Sequence, residues 1–490
     1  MFRARPTFMT TWFLCAIGIA WGASAPPLRE AHSEEAVRLS TFAVDASPPV
    51  GSPLAYDPTR EVTRPLSCRG IVIQASGQPI VLCAVDWIGI GNEGNEAFRQ
   101  QLAVAAGTTP EHVTVHTLHQ HDAPRCDLGS ARLLAEVGHV KEHYDVPFIE
   151  QVIVRAAAAV KDSMKSAKPI DSIAFGAAEV KEVASNRRML DAQGKVVITR
   201  YTACKDEKLR ALPVGVIDPQ MRLITFFSAD QPVASLSFFA THPQSYYRTG
   251  GANPDFPGMA RDDHQAKSGV FQVHFNGAGG NIGAGKYNDG SPAMRQVLAD
   301  RMRDGMQRAA RSQSKQPLRA AQLSWTTEQV RLPLADHLRD DELATQLRDP
   351  STDEALRVHV ADKLSFLRRA AAGNSIQISC LRLGENSILF MPGELFVEYQ
   401  LAATHMRPDR NVMMAAYGDY GPFYIGTRVA YPQGGYETSP RASNVAPEVE
   451  EVLLAAMSKL LKATNPNVHA SDFTDTMGPG LAPTSAPANN

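Results

Sequence analysis

The sequence has little cysteine, almost no net charge and, after its first 25 residues, no long apolar run. Forty-nine basic residues against 51 acidic ones leave a charge of −2 over 490 residues. That balance excludes a protein that holds nucleic acid by general electrostatics. No later stretch reaches the roughly 18 uninterrupted apolar residues that a transmembrane helix needs. Of the six cysteines, Cys15 lies in the N-terminal segment, which leaves Cys68, Cys83, Cys126, Cys204 and Cys380. An odd number permits at most two disulfides, and Cys126 with Cys204, both in loop-like sequence, is the first pair to consider. None of the five has the short paired spacing of a zinc ribbon, so cysteine is not the expected metal ligand. Internal sequence repeats are also lacking.

What is present is globular: 44% hydrophobic, 20% charged, mean hydropathy −0.21. Arg3 and Arg5, the apolar run from Trp12 to Trp21 and Ala23-Ser24-Ala25 read as a secretory signal peptide over 1–25, cleaved after Ala25. An uncleaved anchor is the competing reading, but the run is short and Pro26-Pro27 follow it. The mature protein is thus expected to be secreted or periplasmic. Residues 26–64 are polar and Pro-rich. CRGIVIQA and PIVLCAVDWIGI, split by Ser76-Gly77-Gln78, predict a hairpin. Asn92–Ala106 predicts a helix capped by Asn92 and stopped by Gly107, followed by a strand in VTVHTL; Pro147–Ala167 predicts another helix. Leu334–Ala372 predicts a solvent-facing helix pair, and the composition after Leu461 predicts a disordered tail over 466–490. The interleaving predicts an α/β fold, mixed sheets flanked by helices, with one large domain over 65–465.

Four of the 14 histidines, His112, His116, His119 and His121, fall within ten residues. His119 and His121 are two apart, so on an extended segment both imidazoles point to one side, as groups sharing a metal and its water require. Strand-end histidines that bind nothing are the alternative. A metallo-β-lactamase wants an Asp-His pair next, and Asp122 is followed by Ala123; an amidohydrolase barrel needs eight strand-helix units that are hard to place here. Gly280, Gly285 and Lys286 match GxxxxGK, but Tyr287 stands where the Ser or Thr for magnesium belongs. These glycines read as a tight loop that lets backbone approach a site. His242 in FFATHPQSYY sits at the mouth of a strand halted by Pro243. Glu394 follows Pro392-Gly393, where it is either a site carboxylate or a helix-start residue. AYGDYGPFYIGTRVAYPQGGYE is a tyrosine-rich run with turn residues.

In order, VDWIGI, HQHDAP, SNRRML, ATHPQS, the Asn-Gly-rich strand exit, MPGE and YIGTRVAYPQGGYE resemble the motif series of the neutral/alkaline ceramidase catalytic domain, from about Leu66 to about Ala456. The resemblance implies one catalytic zinc held by His119, His242, Glu394 and Tyr424, with His121, Arg187 and Tyr436 acting on the water, the scissile carbonyl and the transition state. It implies a zinc-dependent amide hydrolase for ceramide or a related N-acyl amphiphile, with peripheral contact to a membrane surface and no nucleic-acid partner. The chain departs from the family in two ways: Gln120 and Asp122 replace small Thr and Ser, and only about thirty residues follow Leu461, so the family's C-terminal β-sandwich is not expected. Two other readings stay open: an exported zinc hydrolase of the same architecture acting on a non-sphingolipid amide or ester, and a catalytically silent binding protein. Phe238, Phe239, Tyr246, Tyr247, Phe256 and Phe423 are candidates for an apolar pocket wall. Asp122, beside the implied base, is expected to disfavour anionic N-acyl amino acids relative to neutral ceramides and N-acyl amino alcohols.

Overall fold

The run PIVLCAVDWIGI becomes the strand Ile80–Val85, buried at every residue, as a strand covered on both faces must be. It pairs antiparallel with Ser67–Gln74, in register from Cys68 opposite Val85 to Ile73 opposite Ile80, which is the expected hairpin. The computed structural model describes residues 9–11 and 36–476. All described secondary structure belongs to the unit Glu35–Asn490; the signal peptide expected over 1–25 lies, apart from residues 9–11, outside the described residues.

Three mixed sheets carry the fold. The first runs Val113–Thr117, Ile80–Val85, Ser67–Gln74, Val37–Asp45, Lys168–Ile170. The second runs Phe271–Asn276, Gln231–Phe239, Gln220–Ser228, Ser172–Glu179, Ser314–Pro317, and the third Leu323–Val330, Ile376–Leu383, Asn386–Phe390, Asn411–Ala415. Each holds one parallel pair among antiparallel neighbours. In each case the first strand of that pair leads into a two-residue strand, then a helix, then the parallel partner. The helices are Asn92–Ala106, Asp255–Ser268 and Val397–Met406. The chain thus repeats one unit three times in topology while its sequence shows no repeat. Leu39, Leu82, Ile224, Leu236, Leu381 and Ile388 from all three sheets meet in a shared apolar cluster. Each such fully buried side chain contributes about 1.5–3 kcal/mol.

Several expectations are corrected. Val37–Asp45 is a strand inside the first sheet, so residues 26–64 are more than a polar lead-in: the alternating pattern VRLSTFAVD buries Val37, Leu39 and Phe42. Ala470–Phe473 is a 3-10 turn with Val468 and Ala470 buried, so order extends into the expected tail. The helix pair is Asp340–Arg348 and Glu354–Ala371, but the second buries Val358, Val360, Leu364 and Phe366 rather than facing solvent. Asn92 does not cap its helix; Gly91 is the cap residue, and the Asn92 amide donates to Asp127 at 2.6 Å. Cys126 and Cys204 are unpaired, as are the other three cysteines described, and the closest thiols are Cys68 and Cys83, Sγ to Sγ 3.5 Å.

The helix Asp255–Ser268 is tied to the first sheet by Arg261, whose guanidinium grips Asp86 at 2.6 and 2.9 Å with both side chains fully buried. Asp86 also accepts from the Ser67 backbone and hydroxyl, both at 2.8 Å. Removing one partner of a buried pair leaves an uncompensated charge. Asp86→Ala should therefore lower unfolding stability by about 3–5 kcal/mol, read as a shifted urea midpoint; a loss under about 1 kcal/mol would show that water reaches Arg261.

Candidate metal and catalytic centre

The carboxyl ends of the parallel strands point toward one place, the position where open mixed sheets hold their ligands. The loop after Val113–Thr117 carries His119 and His121, the loop after Gln231–Phe239 carries His242, and the turn after Asn386–Phe390 carries Glu394. The seven residues of the implied site, His119, His121, Arg187, His242, Glu394, Tyr424 and Tyr436, all line a single cleft of about 730 Å³, open mouth included.

His119 and His121 do not lie on an extended strand. His119 has φ +64°, a left-handed backbone that costs about 1–3 kcal/mol for a non-glycine residue. The turn is held by the His119 amide donating to the Trp87 carbonyl at 3.0 Å, by Nδ1 donating to the Ile88 carbonyl at 2.6 Å, and by Tyr417 stacked on the ring at 4.6 Å. Because a carbonyl only accepts, Nδ1 carries a proton and Nε2 is left facing inward. There it meets Glu394 Oε2 at 3.1 Å without hydrogen-bond alignment, while His242 Nδ1 lies 3.7 Å from the same oxygen. All three atoms are buried and lack a hydrogen-bond partner. A proton satisfies one of these contacts; a single cation among them satisfies all three.

The buried imidazoles of His119, His121 and His242 offer ligand atoms within 4.8 Å of one another, a group that can hold a metal ion. Within it His121 differs, because both of its nitrogens are engaged: Nε2 lies 3.0 Å from His242 Nε2, and Nδ1 is 3.1 Å from the Gln244 amide. Burial, and after it the charges of His119 and Arg187, push His121 and His242 well below the ordinary imidazole pKa, which favours their neutral form.

Glu394 does not start a helix. It forms the two-residue strand Glu394–Leu395, paired parallel with Tyr424–Ile425 so that Glu394 stands opposite Tyr424, and the helix begins at Val397. Burial pushes its carboxyl up, but His119 and the phenols of Tyr420 and Tyr424 bring it below the ordinary carboxylate value; the Tyr420 hydroxyl donates at 2.7 Å. Burial pushes the Tyr424 phenol well up, opposed by the Arg187 guanidinium lying over its ring at 5.2 Å. Arg187 donates to the Gly280 carbonyl at 2.9 Å and sits 2.7 Å from Glu437, which also pairs with Arg188 at 3.0 Å. Tyr436 stands edge-on to Tyr424 at 5.7 Å, its phenol pushed up to about 12 by burial and then by the Glu394 charge.

The glycine loop borders this centre. A Cβ on Gly280 would come within 2.3 Å of the Glu394 carbonyl, so only glycine lets the two backbones meet. Asp122 and Gln120, in contrast, do not line the cleft. Asp122 is buried and saturated by the Arg248 amide, the Thr249 hydroxyl and the Arg295 guanidinium, each at 3.0 Å. The expected repulsion of anions by Asp122 is therefore corrected. The aromatic wall is corrected too: Phe238, Phe239 and Phe256 pack in the cores, and only Tyr247 and Phe423 of the six candidates face the cleft. Sequence reading missed Tyr56, Gln244, His359, Tyr420, Glu437 and Arg441. Gln244 and Glu437 stand inside quoted motifs, ATHPQS and GGYE, where their partners could have been sought.

Lys286, the lysine of the GxxxxGK match, donates to the carbonyls of Arg210 at 2.9 Å and Leu212 at 2.6 Å, closing the short helix Glu207–Ala211. That is a structural assignment and leaves no amine for a phosphate. Lys286→Ala should lower the melting temperature modestly, through the loss of bonds worth about 0.5–1.5 kcal/mol each. ATP should shift the melting temperature of neither form, and saturable ATP binding abolished by the substitution would restore the nucleotide reading.

No protein-family model and no curated protein matches the chain. Solved structures do. A ceramidase in complex with C2 superposes with TM-score 0.61 at 14% identity, over 87% of this chain and 74% of that one. The neutral ceramidase from Pseudomonas aeruginosa gives TM-score 0.61 at 17% identity, over 92% of this chain and 77% of that one. The chain therefore has a ceramidase-like fold.

Proposed function

We propose that this protein is a zinc-dependent amide hydrolase that cleaves the N-acyl bond of ceramide or a related N-acyl amphiphile. The observation that carries the reading is the convergence of three partnerless buried atoms, His119 Nε2, His242 Nδ1 and Glu394 Oε2, beside a guanidinium and two phenols in one cleft. His119, His242, Glu394 and Tyr424 would hold the zinc. When bound, zinc supplies Lewis acidity that lowers the pKa of water toward about 7.

His121 is the proton carrier. Its ring is stacked by Tyr56 at 5.6 Å and flanked by Tyr247 at 5.4 Å, which fixes its plane and shields it from bulk water. Gln244 holds Nδ1 at 3.1 Å and His242 Nε2 lies 3.0 Å from Nε2, so a ring nitrogen released from its contact would accept the proton and later return it to the departing amine. Arg187, kept cationic by Tyr424 and Glu437 against the cost of burial, and the Tyr436 hydroxyl would face the carbonyl oxygen as it becomes negative. In the balanced reaction the C–N bond breaks, water oxygen goes to the acyl carbon and its proton reaches nitrogen.

Purified protein should hold about one zinc per chain by mass spectrometry of metals. His242→Ala should lose both metal and amidase activity. His121→Ala should keep the metal and lose about 10²–10⁴ in rate. Full zinc and full activity in His242→Ala would remove the ligand assignment, and chelator-insensitive cleavage would remove the metal from the reaction.

A further inference from the structure

The head group of a ceramide is uncharged, yet the cleft that would receive it carries an excess of positive charge. Three arginines line it, Arg125, Arg187 and Arg441, against one carboxylate, Glu394. Arg187 shares Glu437 with Arg188, so one carboxylate serves two guanidiniums. Arg125 reaches Asp362 only at 4.0 Å and otherwise donates to the Ala55 carbonyl. Arg441 is exposed on the rim and makes no ion pair or hydrogen bond with any described residue.

Around Arg441 the pattern continues. Lys363 spends its ammonium on the Pro440 carbonyl at 2.7 Å and meets no carboxylate within ion-pair distance among the described residues. His359, which also lines the cleft, has a buried Nδ1 with no partner, and its ring is set edge-on against Phe423 at 6.3 Å. Burial and then Arg125, Arg441 and Lys363 push this imidazole down to about 3, so it is a neutral polar group. Arg441 lines the cleft together with Tyr436 and Tyr201. Asp122, the one carboxylate that sequence set against anions, is consumed by Arg295 and faces away.

A guanidinium without a carboxylate, a second arginine and a neutral imidazole whose Nδ1 carries the N–H are what a planar anion requires, since the guanidinium fork matches a carboxylate bidentately and Nδ1–H adds a donor. We infer that Arg441 and His359, with Arg125 behind them, form a subsite for a carboxylate on the amine portion of the substrate. The preferred substrate is then an N-acyl amino acid rather than a neutral ceramide. This rests on the amide-hydrolase reading and reverses the substrate order expected from Asp122.

The test compares N-dodecanoylglycine with N-dodecanoylethanolamine, which share an acyl chain and differ at the head group, using the zinc-loaded full chain. The glycine derivative should have a kcat/KM at least about tenfold higher, because hydrogen bonds to charged groups carry that much, and 0.5 M salt should narrow the gap at an exposed arginine. In Arg441→Gln the ratio of the two should fall at least about tenfold, mostly through KM, and Arg441→Lys should recover part of it. Equal or faster cleavage of the ethanolamine derivative, or a ratio that Arg441→Gln leaves in place, overturns the subsite while the amidase reading stands. If neither amide is cleaved, the amidase reading falls. Calorimetry then decides the subsite: tighter binding of N-dodecanoylglycine that Arg441→Gln abolishes supports it, and equal affinity for both compounds overturns it.

Discussion

One desolvated carboxylate organises the centre of this protein. Glu394 is 1% exposed, and an ion taken out of water costs several kcal/mol unless its surroundings answer for it. One oxygen receives the Tyr420 hydroxyl, and the other faces His119 and His242 with no hydrogen bond. Everything nearby is shaped to bring donors and ligands to that group. Gly280 omits a side chain so that its loop can lie on the Glu394 backbone, and Gly393, at φ +60°, turns the chain into the short strand that sets Glu394 beside Tyr424.

The threefold topology explains why such a place exists. Each sheet ends its antiparallel run, makes a two-residue strand, crosses by a helix and returns as a parallel strand. Parallel pairs put two carboxyl ends side by side, and three such pairs give six chain exits around a shared apolar core. The exits are where the backbone is forced: His119, Tyr417 and Phe423 take φ of +64°, +59° and +58°, all next to the cleft. Strain of this kind persists only where surroundings over-determine it. Here the buried Asp86–Arg261 pair and the Trp87 and Ile88 carbonyls hold the His119 turn from behind.

Legibility in the sequence followed the range of the interaction. The hairpin at Ser67–Val85 and the helix Asn92–Ala106 rest on local patterns and were readable to the residue or nearly so. The strand Val37–Asp45 was missed although its alternation was present, because the surrounding prolines masked it. The seven residues that share the cleft were named through motif resemblance; spacing alone misjudged the backbone, since His119 sits in a left-handed turn and not on a strand. Asp122 could not be read locally. Its partner Arg295 lies 173 residues away, and only folding turns an apparent pocket charge into a saturated structural one. Phe238 and Phe239 failed for the same reason: proximity to His242 in sequence says nothing about which core each side chain enters.

Charge excess links the two ends of the cleft. At the inner end, burial with the charges of His119 and Arg187 favours neutral His121 and His242, the form in which an imidazole can bind a metal or take a proton. Towards the rim, burial and after it Arg125, Arg441 and Lys363 do the same to His359. Glu394 alone cannot balance these groups: Glu437 is shared between Arg187 and Arg188, Asp362 accepts from Tyr144 and reaches Arg125 only at 4.0 Å, and Asp122 is spent on Arg295. A low-dielectric cleft with one sign of charge concentrates ligands of the other sign. The positive field that adds to burial in keeping the imidazoles neutral is therefore also a field that draws an anion inward, and a carboxylate on the amine portion of a substrate would complete the charge balance that the folded chain leaves open.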